Sequence, residues 1–286
     1  MTDPARQNYW AVVPAAGAGR RMGTSIPKQY LPLNGRTVLE HTLARLANHP
    51  AISGVVVALA ADDSRWPTLT LFSPMTGTGV VSSKAPPAEK ATAPGVTAPI
   101  YPVRGGPERC HSVLNALEAA MTPEIGAREE DWVLVHDAAR PCLRSDDIGR
   151  LIAALSHHPV GGLLGNRVRD TMKRTGPENE ITKTVDREGL WHALTPQMFR
   201  LGRLSKALTA CIGRGITVTD EAQAIELQSE GARDGAPCMV EGASDNIKIT
   251  RPDDLRLAAF YLQQQSAAEP QPMEETIHEG TRRRKR

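Results

Sequence analysis

Short apolar runs rich in β-branched residues alternate with stretches of helical period along most of this chain, and that alternation restricts the folds open to it. "WAVVPA" (10–15), "VVVALA" (55–60), "WVLVHDA" (132–138), "GGLLG" (161–165) and "NIKIT" (246–250) read as buried strands. Between them, "TVLEHTLARLAN" (37–48) spaces its apolar residues as a helix does and opens on a capping box, Thr37 with Glu40 three residues on. "ERCHSVLNALEAA", "DDIGRLIAALSHH" and "DEAQAIELQSEG" repeat the helical period, and "RPDDLRLAAFYL" begins a last helix with Pro252 in its first turn. Strands alternating with helices of this length make βαβ units. The expected class is therefore α/β, with a mainly parallel twisted sheet and helices on both faces. Apolar residues at 40% of 286 suffice for a sizeable core, read as one domain over residues 1–264.

Three segments break the pattern. Residues 73–99 are mostly Ala, Pro, Gly, Ser and Thr, and read as a long mobile surface loop between two strands. Residues 265–286 lack apolar periodicity and read as a disordered basic tail, whose final "RRRKR" suits either an RNA-touching segment or a solvated end. In residues 167–190, two alternating stretches flank "TGPENE", as in a β-hairpin arm projecting from the sheet. A two-stranded arm alone is marginal in water, so it is expected to lean on a partner subunit in a homodimer.

Charge and cysteine usage exclude other classes. A formal net charge of +2 does not make the whole molecule a nucleic-acid binder. Cys110, Cys142, Cys211 and Cys238 are scattered without a Cys-x-x-Cys pair, which argues against a disulfide framework or structural zinc. No uncharged apolar run approaches the roughly 20 residues that span a bilayer, and the N-terminus lacks a signal-peptide core. A cytoplasmic protein without membrane attachment is the expectation.

The chemistry is concentrated where the first strand ends. "PAAGAGRRMGTSIPKQY" (14–30) places small residues and fixed cations within a few steps of a strand end. Exposed backbone N–H groups in such a turn can converge on phosphate. A dinucleotide fingerprint is not complete, because Met22 stands where the third glycine belongs, and no P-loop string is present. What remains is Gly-x-Gly-x-Arg followed by Pro-Lys-Gln. Ala15, Ala16, Gly17 and Gly19 let the backbone approach a nucleotide closely, while Arg21 and Lys28 supply cations. Fixed cations stabilise the charge that builds as an α-phosphate is attacked and pyrophosphate leaves.

Other positions fit that scheme. "VLVHDAARP" puts Asp137 at the C-terminal end of a buried strand, where open α/β sheets bind ligands. An acid there can hold Mg²⁺ or cap the next turn; Arg140 either orders that loop or contacts phosphate. In "GGPERCHSV", Gly105 and Gly106 offer backbone groups to a base, with Arg109 close behind. Ser112 suits a base, a ribose or a helix cap. Thr171, Arg187, Thr195, Thr219 and Asp220 combine hydroxyls and charge suited to a polyol phosphate, or belong to solvated turns. Lys248 lies in an apolar setting where a lysine commonly serves an anion, whereas His136 and His192 lack metal-ligand spacing and read as structural.

Collected, the strings "PAAGAGRRM", "PKQYL", "GGPER" with "SV", "VHDAARP", "VRDTMKR", "TVDREGLWHALTPQ", "TDEA" and "EGASDNIKITRPDDL" closely resemble the 2-C-methyl-D-erythritol 4-phosphate cytidylyltransferases of the non-mevalonate isoprenoid pathway, in family order over about residues 9–262. The resemblance implies a Rossmann-like nucleotidyltransferase fold and transfer of CMP from CTP to methylerythritol phosphate, with Mg²⁺. It places transition-state cations on Arg21 and Lys28, and residues orienting the attacking phosphate on Arg187 and Lys248. It also puts Ala15, Ala16, Gly17, Gly19, Gly106, Ser112, Asp137 and Ala138 near CTP or metal, with Thr171, Thr195 and Asp220 lining the alcohol site. The family's arm exchanges across a homodimer, so Arg187 would serve the neighbour's site. Pro107 stands where many members carry an acid, loop 73–99 is longer than usual, and the tail matches no family role. The roughly two dozen residues after the last helix leave no room for a fused cyclodiphosphate synthase. A cytidylyltransferase for another polyol phosphate, such as ribitol 5-phosphate, remains the alternative. A nucleotide-binding regulator without turnover would lack Arg21 or Lys28, and Met22 argues against a dehydrogenase.

Overall fold

β1 (Tyr9–Pro14) lies inside a seven-stranded sheet, and its residues are apolar on both sides because both faces are covered. The computed structural model describes residues 7–17, 26–70, 96–229 and 235–268. Gly19 and Arg21, most of loop 73–99 and the chain beyond residue 268 lie outside the described residues. After β1 come β2 (Pro32–Leu33), β3 (Arg36–Thr37), α1 (Val38–Ala47), β4 (Ile52–Leu59), β5 (Ile100–Arg104) and α2 (Arg109–Ala120). Next follow β6 (Trp132–Val135), α3 (Ser145–Leu155), β7 (Gly161–Arg167), β8 (Met172–Thr175), β9 (Ile181–Val185) and β10 (Trp191–Arg200). The chain continues through α4 (Leu201–Gly213), α5 (Glu221–Ser229), β11 (Cys238–Glu241) and α6 (Pro252–Ala268).

The strand order is β11-β7-β10-β6-β1-β4-β5. Only the pairings of β10, with β6 and β7, are antiparallel; the other four are parallel. Side chains alternate between two cores, as a strand period of two requires. Ala11, Val13, Val55, Val57 and Leu134 pack with α1 and α3, while Trp10, Val12, Val56, Val133 and Val135 pack with α2, α4 and α5. A third cluster joins α6 to the β2–β3 hairpin through Leu31, Leu33, Ala258 and Leu262. That hairpin turns on Asn34 and Gly35, with φ of 44° and 82°, the left-handed pair that a two-residue loop favours. Among the described residues no helix is long and apolar enough to cross a membrane.

Several elements differ from the sequence expectation. Residues 246–250 form no strand; the segment is irregular. β2, β3, β5, α4, β10 and β11 add to the expected elements. The last helix runs to Ala268, past the expected start of the tail at residue 265, because the buried amide of Gln265 donates to the Cys142 carbonyl and to Asp245. Residues 167–190 do form a hairpin: β8 and β9 pair antiparallel in a sheet of their own, with Ile181 65% exposed.

Two local devices fix the elements that frame the sheet's upper edge. The capping box is closed, with Glu40 N–H donating to Thr37 Oγ1 at 3.2 Å and Thr37 N–H to Glu40 Oε2 at 2.7 Å. At the end of β6, His136 is fully buried and neutral. Its Nε2 faces the Arg140 carbonyl at 3.0 Å, which can only accept, so Nδ1 receives the Thr195 hydroxyl at 2.9 Å. That hydroxyl in turn accepts from Asp137 N–H at 3.1 Å. Burial is the main cause that lowers the His136 pKa to about 4.

Thr37→Ala is expected to lower stability by about 1 kcal/mol, read as a shifted denaturant midpoint with an unchanged slope. For His136 the proton binds more readily in the unfolded chain. Its contribution is full above pH 6.5, the ordinary value, and drains away as pH falls toward about 4. Unfolding midpoints of His136→Gln, measured across that window, should therefore fall less steeply with acid than those of the parent; an equal slope would contradict a neutral buried imidazole. His41 and His49 are shifted the same way by burial and are present in both proteins, so the comparison isolates His136.

Candidate active site

A cavity of about 360 Å³ opens at the C-terminal ends of β1, β6 and β5. β1 has parallel neighbours on both sides, β4 and β6, and the connections leaving its two flanks diverge there, which is where open α/β sheets take ligands. The floor is the backbone of Ala15, Ala16 and Gly17, which continues β1 in a turn of small side chains. Gln29, 4% exposed in the one-turn helix Lys28–Tyr30, pins that turn by donating Nε2 to the carbonyls of Ala15 at 2.8 Å and Gly17 at 3.1 Å. Opposite, Gly105 and Gly106 let the turn after β5 come close. A Cβ on Gly105 would lie 2.6 Å from that of Ala16, and one on Gly106 2.4 Å from that of His111. Ser112 holds this second turn, its hydroxyl accepting from Gly106 N–H at 3.1 Å. The side chain is 2% exposed and also faces the Glu108 carbonyl, so it shapes the rim from within.

Asp137 is the electrostatic centre. It lies two residues past the end of β6 and is 7% exposed. Oδ1 accepts from Arg109 Nε at 3.2 Å, and Oδ2 meets Lys248 Nζ at 2.9 Å and Arg140 Nε at 3.3 Å. Burial alone would raise its pKa, but Arg109, Lys248 and Arg140 together hold the carboxyl far below the usual carboxylate range. It is ionised at any working pH. Behind it, Glu221 takes the other two Arg109 nitrogens at 2.6 and 3.1 Å in a fork. Lys28 adds a further cation to the lining, with Nζ 3.0 Å from the Ile249 carbonyl.

Irregular segment 246–250 is held against the turn after β6 and against β10 by individual hydrogen bonds, two of them from side chains, rather than a ladder. Arg140 Nη1 donates to the Asn246 carbonyl at 2.7 Å, Asn246 Nδ2 to the Thr195 carbonyl at 2.8 Å, and Ile249 N–H to the Ala139 carbonyl at 2.9 Å. Lys248 thus reaches Asp137 from a pinned loop with its side chain 38% exposed, not from within a buried strand.

The cavity gathers Ala15, Ala16, Gly17, Lys28, Gly106, Ser112, Asp137, Ala138 and Lys248 from the expected site residues. Arg140 sits behind it, committed to Asp137 and Asn246. The Thr195 hydroxyl is buried in the His136 relay described above. Asp220 caps α5, accepting from Gln223 N–H, and its other oxygen accepts from Gln197 Nε2; exposed Thr219 donates to Gln223 Oε1. Thr171 and Arg187 lie exposed on the arm, with Arg187 Nη1 donating to the Arg169 carbonyl, and neither lines the cavity of its own chain. Gln29 and Glu221 had no role assigned from sequence. Both are polar residues buried inside motifs already singled out, "PKQYL" and "TDEA", and that burial is the only signal that marks them.

A divalent cation would find one ionised carboxylate here. Among the described residues no group of three His, Cys, Asp or Glu side chains could cage a metal. One carboxylate completed by substrate phosphates and water is the donor set that Mg²⁺ commonly accepts, so Asp137 fits.

Comparison with known proteins agrees with the geometry. The family model for 2-C-methyl-D-erythritol 4-phosphate cytidylyltransferase matches residues 9–264. A curated relative of that name from Aeromonas hydrophila is 50% identical over 270 residues, covering 94% of this chain and 96% of its own. One from Pseudomonas fluorescens is 47% identical over 247 residues, covering 86% and 92%. The crystal structure of the Francisella tularensis 2-C-methyl-D-erythritol 4-phosphate cytidylyltransferase superposes with a TM-score of 0.66 at 34% identity, over 89% of this chain and 99% of that one. With a matching fold, near-full coverage and a cation-lined cleft at the strand ends, the chain belongs to the 2-C-methyl-D-erythritol 4-phosphate cytidylyltransferase family.

Proposed function

We infer that this chain transfers the cytidylyl group of CTP to 2-C-methyl-D-erythritol 4-phosphate. A phosphate oxygen of the alcohol forms a bond to the α-phosphorus, the bond between that phosphorus and the α–β bridging oxygen breaks, and pyrophosphate leaves with the electron pair. The observation that carries this reading is the cavity itself: Arg109, Arg140 and Lys248 meet one ionised carboxylate beside a turn of small residues, and Lys28 adds a cation to the same lining. An anionic nucleophile needs no protein base. It needs fixed positive charge where the developing charge appears.

In this reading the backbone at Ala15–Gly17 and Gly106 receives the nucleotide, and Lys28, with Arg21, steadies the five-coordinate α-phosphate. Lys248 and Arg187 hold the acceptor phosphate, with Thr171, Thr195, Thr219 and Asp220 toward the polyol. Mg²⁺, when bound at Asp137, would neutralise phosphate charge and orient the triphosphate. Arg187 would act in the cavity of a second copy. Support for a homodimer comes from the arm: Met172, Ile181 and Leu190 are exposed apolar residues on or beside an isolated two-stranded ribbon, a construction marginal in water by itself.

Pyrophosphate release with CTP and each of two acceptors tests the substrate assignment. Turnover with methylerythritol phosphate should far exceed that with ribitol 5-phosphate, and the reverse order would refute it. Lys28→Ala should lower kcat by on the order of 10²–10³ with folding intact, the usual effect of deleting one electrostatic donor. Arg187→Ala should raise KM for the alcohol phosphate while CTP affinity stays near that of the parent; equal losses would move Arg187 to the nucleotide side.

A further inference from the structure

Glu221 opens α5 and is 1% exposed, more than 100 residues in sequence from the arginine it binds. Among the described residues its side chain accepts hydrogen bonds from Arg109, which lines the cavity. The division of Arg109 is uneven. Its two Nη groups go to the two oxygens of Glu221, at 2.6 and 3.1 Å, whereas Asp137 receives Nε alone, at 3.2 Å. Arg109 lines the cavity, and with both Nη groups on Glu221 it meets Asp137 through Nε alone. Both Glu221 oxygens accept from the Arg109 guanidinium; burial raises the Glu221 pKa, and this doubly hydrogen-bonded cation opposes that shift and favours the carboxylate.

We propose that Glu221 is a positioning residue for the metal-binding carboxylate: by engaging the Arg109 fork it limits Arg109 to a single contact with Asp137 and lowers the excess positive charge that a divalent cation must meet there. The inference rests on the reading that Asp137 holds the metal. Its physical basis is a charge count within one connected cluster. Arg109, Arg140 and Lys248 face Asp137 and Glu221, three cations against two anions, for a sum of +1. Without the Glu221 charge the sum is +2. A cluster made more positive repels a divalent cation more strongly and attracts an anion more strongly, especially at a buried site of low effective dielectric. Metal and phosphate binding should therefore respond to Glu221 in opposite directions. A residue that merely held the fold together would weaken both.

Pyrophosphate, a small anion that suits a cation-lined cavity, serves as the probe. Calorimetric titration into the full chain, with and without Mn²⁺, gives two affinities whose ratio is the enhancement contributed by the metal. Glu221→Gln should leave metal-free pyrophosphate affinity unchanged or tighter, and cut the Mn²⁺ enhancement by on the order of tenfold. The electron paramagnetic resonance signal of bound Mn²⁺ should report the same loss. Glu221→Asp retains the charge and should keep the enhancement within about threefold of the parent. The proposal is overturned if Glu221→Gln keeps the full enhancement, or if both variants lose pyrophosphate and metal binding together. Asp137→Asn separates the inference from the reading beneath it. Should that variant keep the enhancement, the metal is not held by Asp137 and both fall; should it lose the enhancement while Glu221→Gln keeps it, only the role of Glu221 falls.

Discussion

Much of this structure is arranged around keeping one carboxylate ionised away from water. Asp137 is nearly buried, and burial by itself would protonate it. Three cations from three separate segments prevent that: Arg109 at the start of α2, Arg140 in the turn after β6, and Lys248 in the irregular stretch before α6. Each cation also needs a counterpart. Arg109 has Glu221 and Arg140 has the Asn246 carbonyl, so the requirement spreads outward through the site. Breaking one partner of such a buried cluster leaves an uncompensated charge, which makes the cluster a source of geometric definition more than of net stability.

The sheet puts this cluster where chemistry can reach it. Parallel strands β5, β4, β1 and β6 end at the same edge, and the turns after β5, β1 and β6 meet over a shared cleft. The close approach of the Gly105 turn to Ala16 leaves no space for side chains between the two walls, so a ligand there contacts backbone. Gln29 fixes the position of the first wall and Ser112 that of the second. The cavity is therefore shaped by short local hydrogen bonds and charged by long-range ones.

The sequence reveals the frame better than the contents of the site. β1, β4 and β6 are apolar on both faces, so they stand out as runs. The Thr37–Glu40 box is written within four residues. β10 is harder to see, because Thr195, Pro196 and Gln197 interrupt its apolar character and its ladder to β7 slips between Ala193 and Gln197. "NIKIT" has the alternation of a strand, yet its backbone bonds go to Ala139 and to side chains from distant segments, an outcome no local pattern encodes. Gln29 and Glu221 illustrate the same limit. Each is an ordinary polar residue until its partner, 12 to 14 residues away for Gln29 and 112 for Glu221, is brought beside it. Thr195, Thr219 and Asp220 show the converse, since hydroxyls and acids that suit a polyol also suit a strand junction or a helix cap.

One consequence follows from the direction of β10. As it runs against β7, the end of β7 at Arg167 and the start of β10 at Trp191 meet on the same border of the sheet, paired and braced by the Arg167 guanidinium 4.5 Å above the indole. Everything between those two residues, hairpin included, is a detour closed at its base. Its length and its tip can change without moving a single rung of the ladder below. Evolution can thus retune what the detour touches while the frame around the cleft stays as it is.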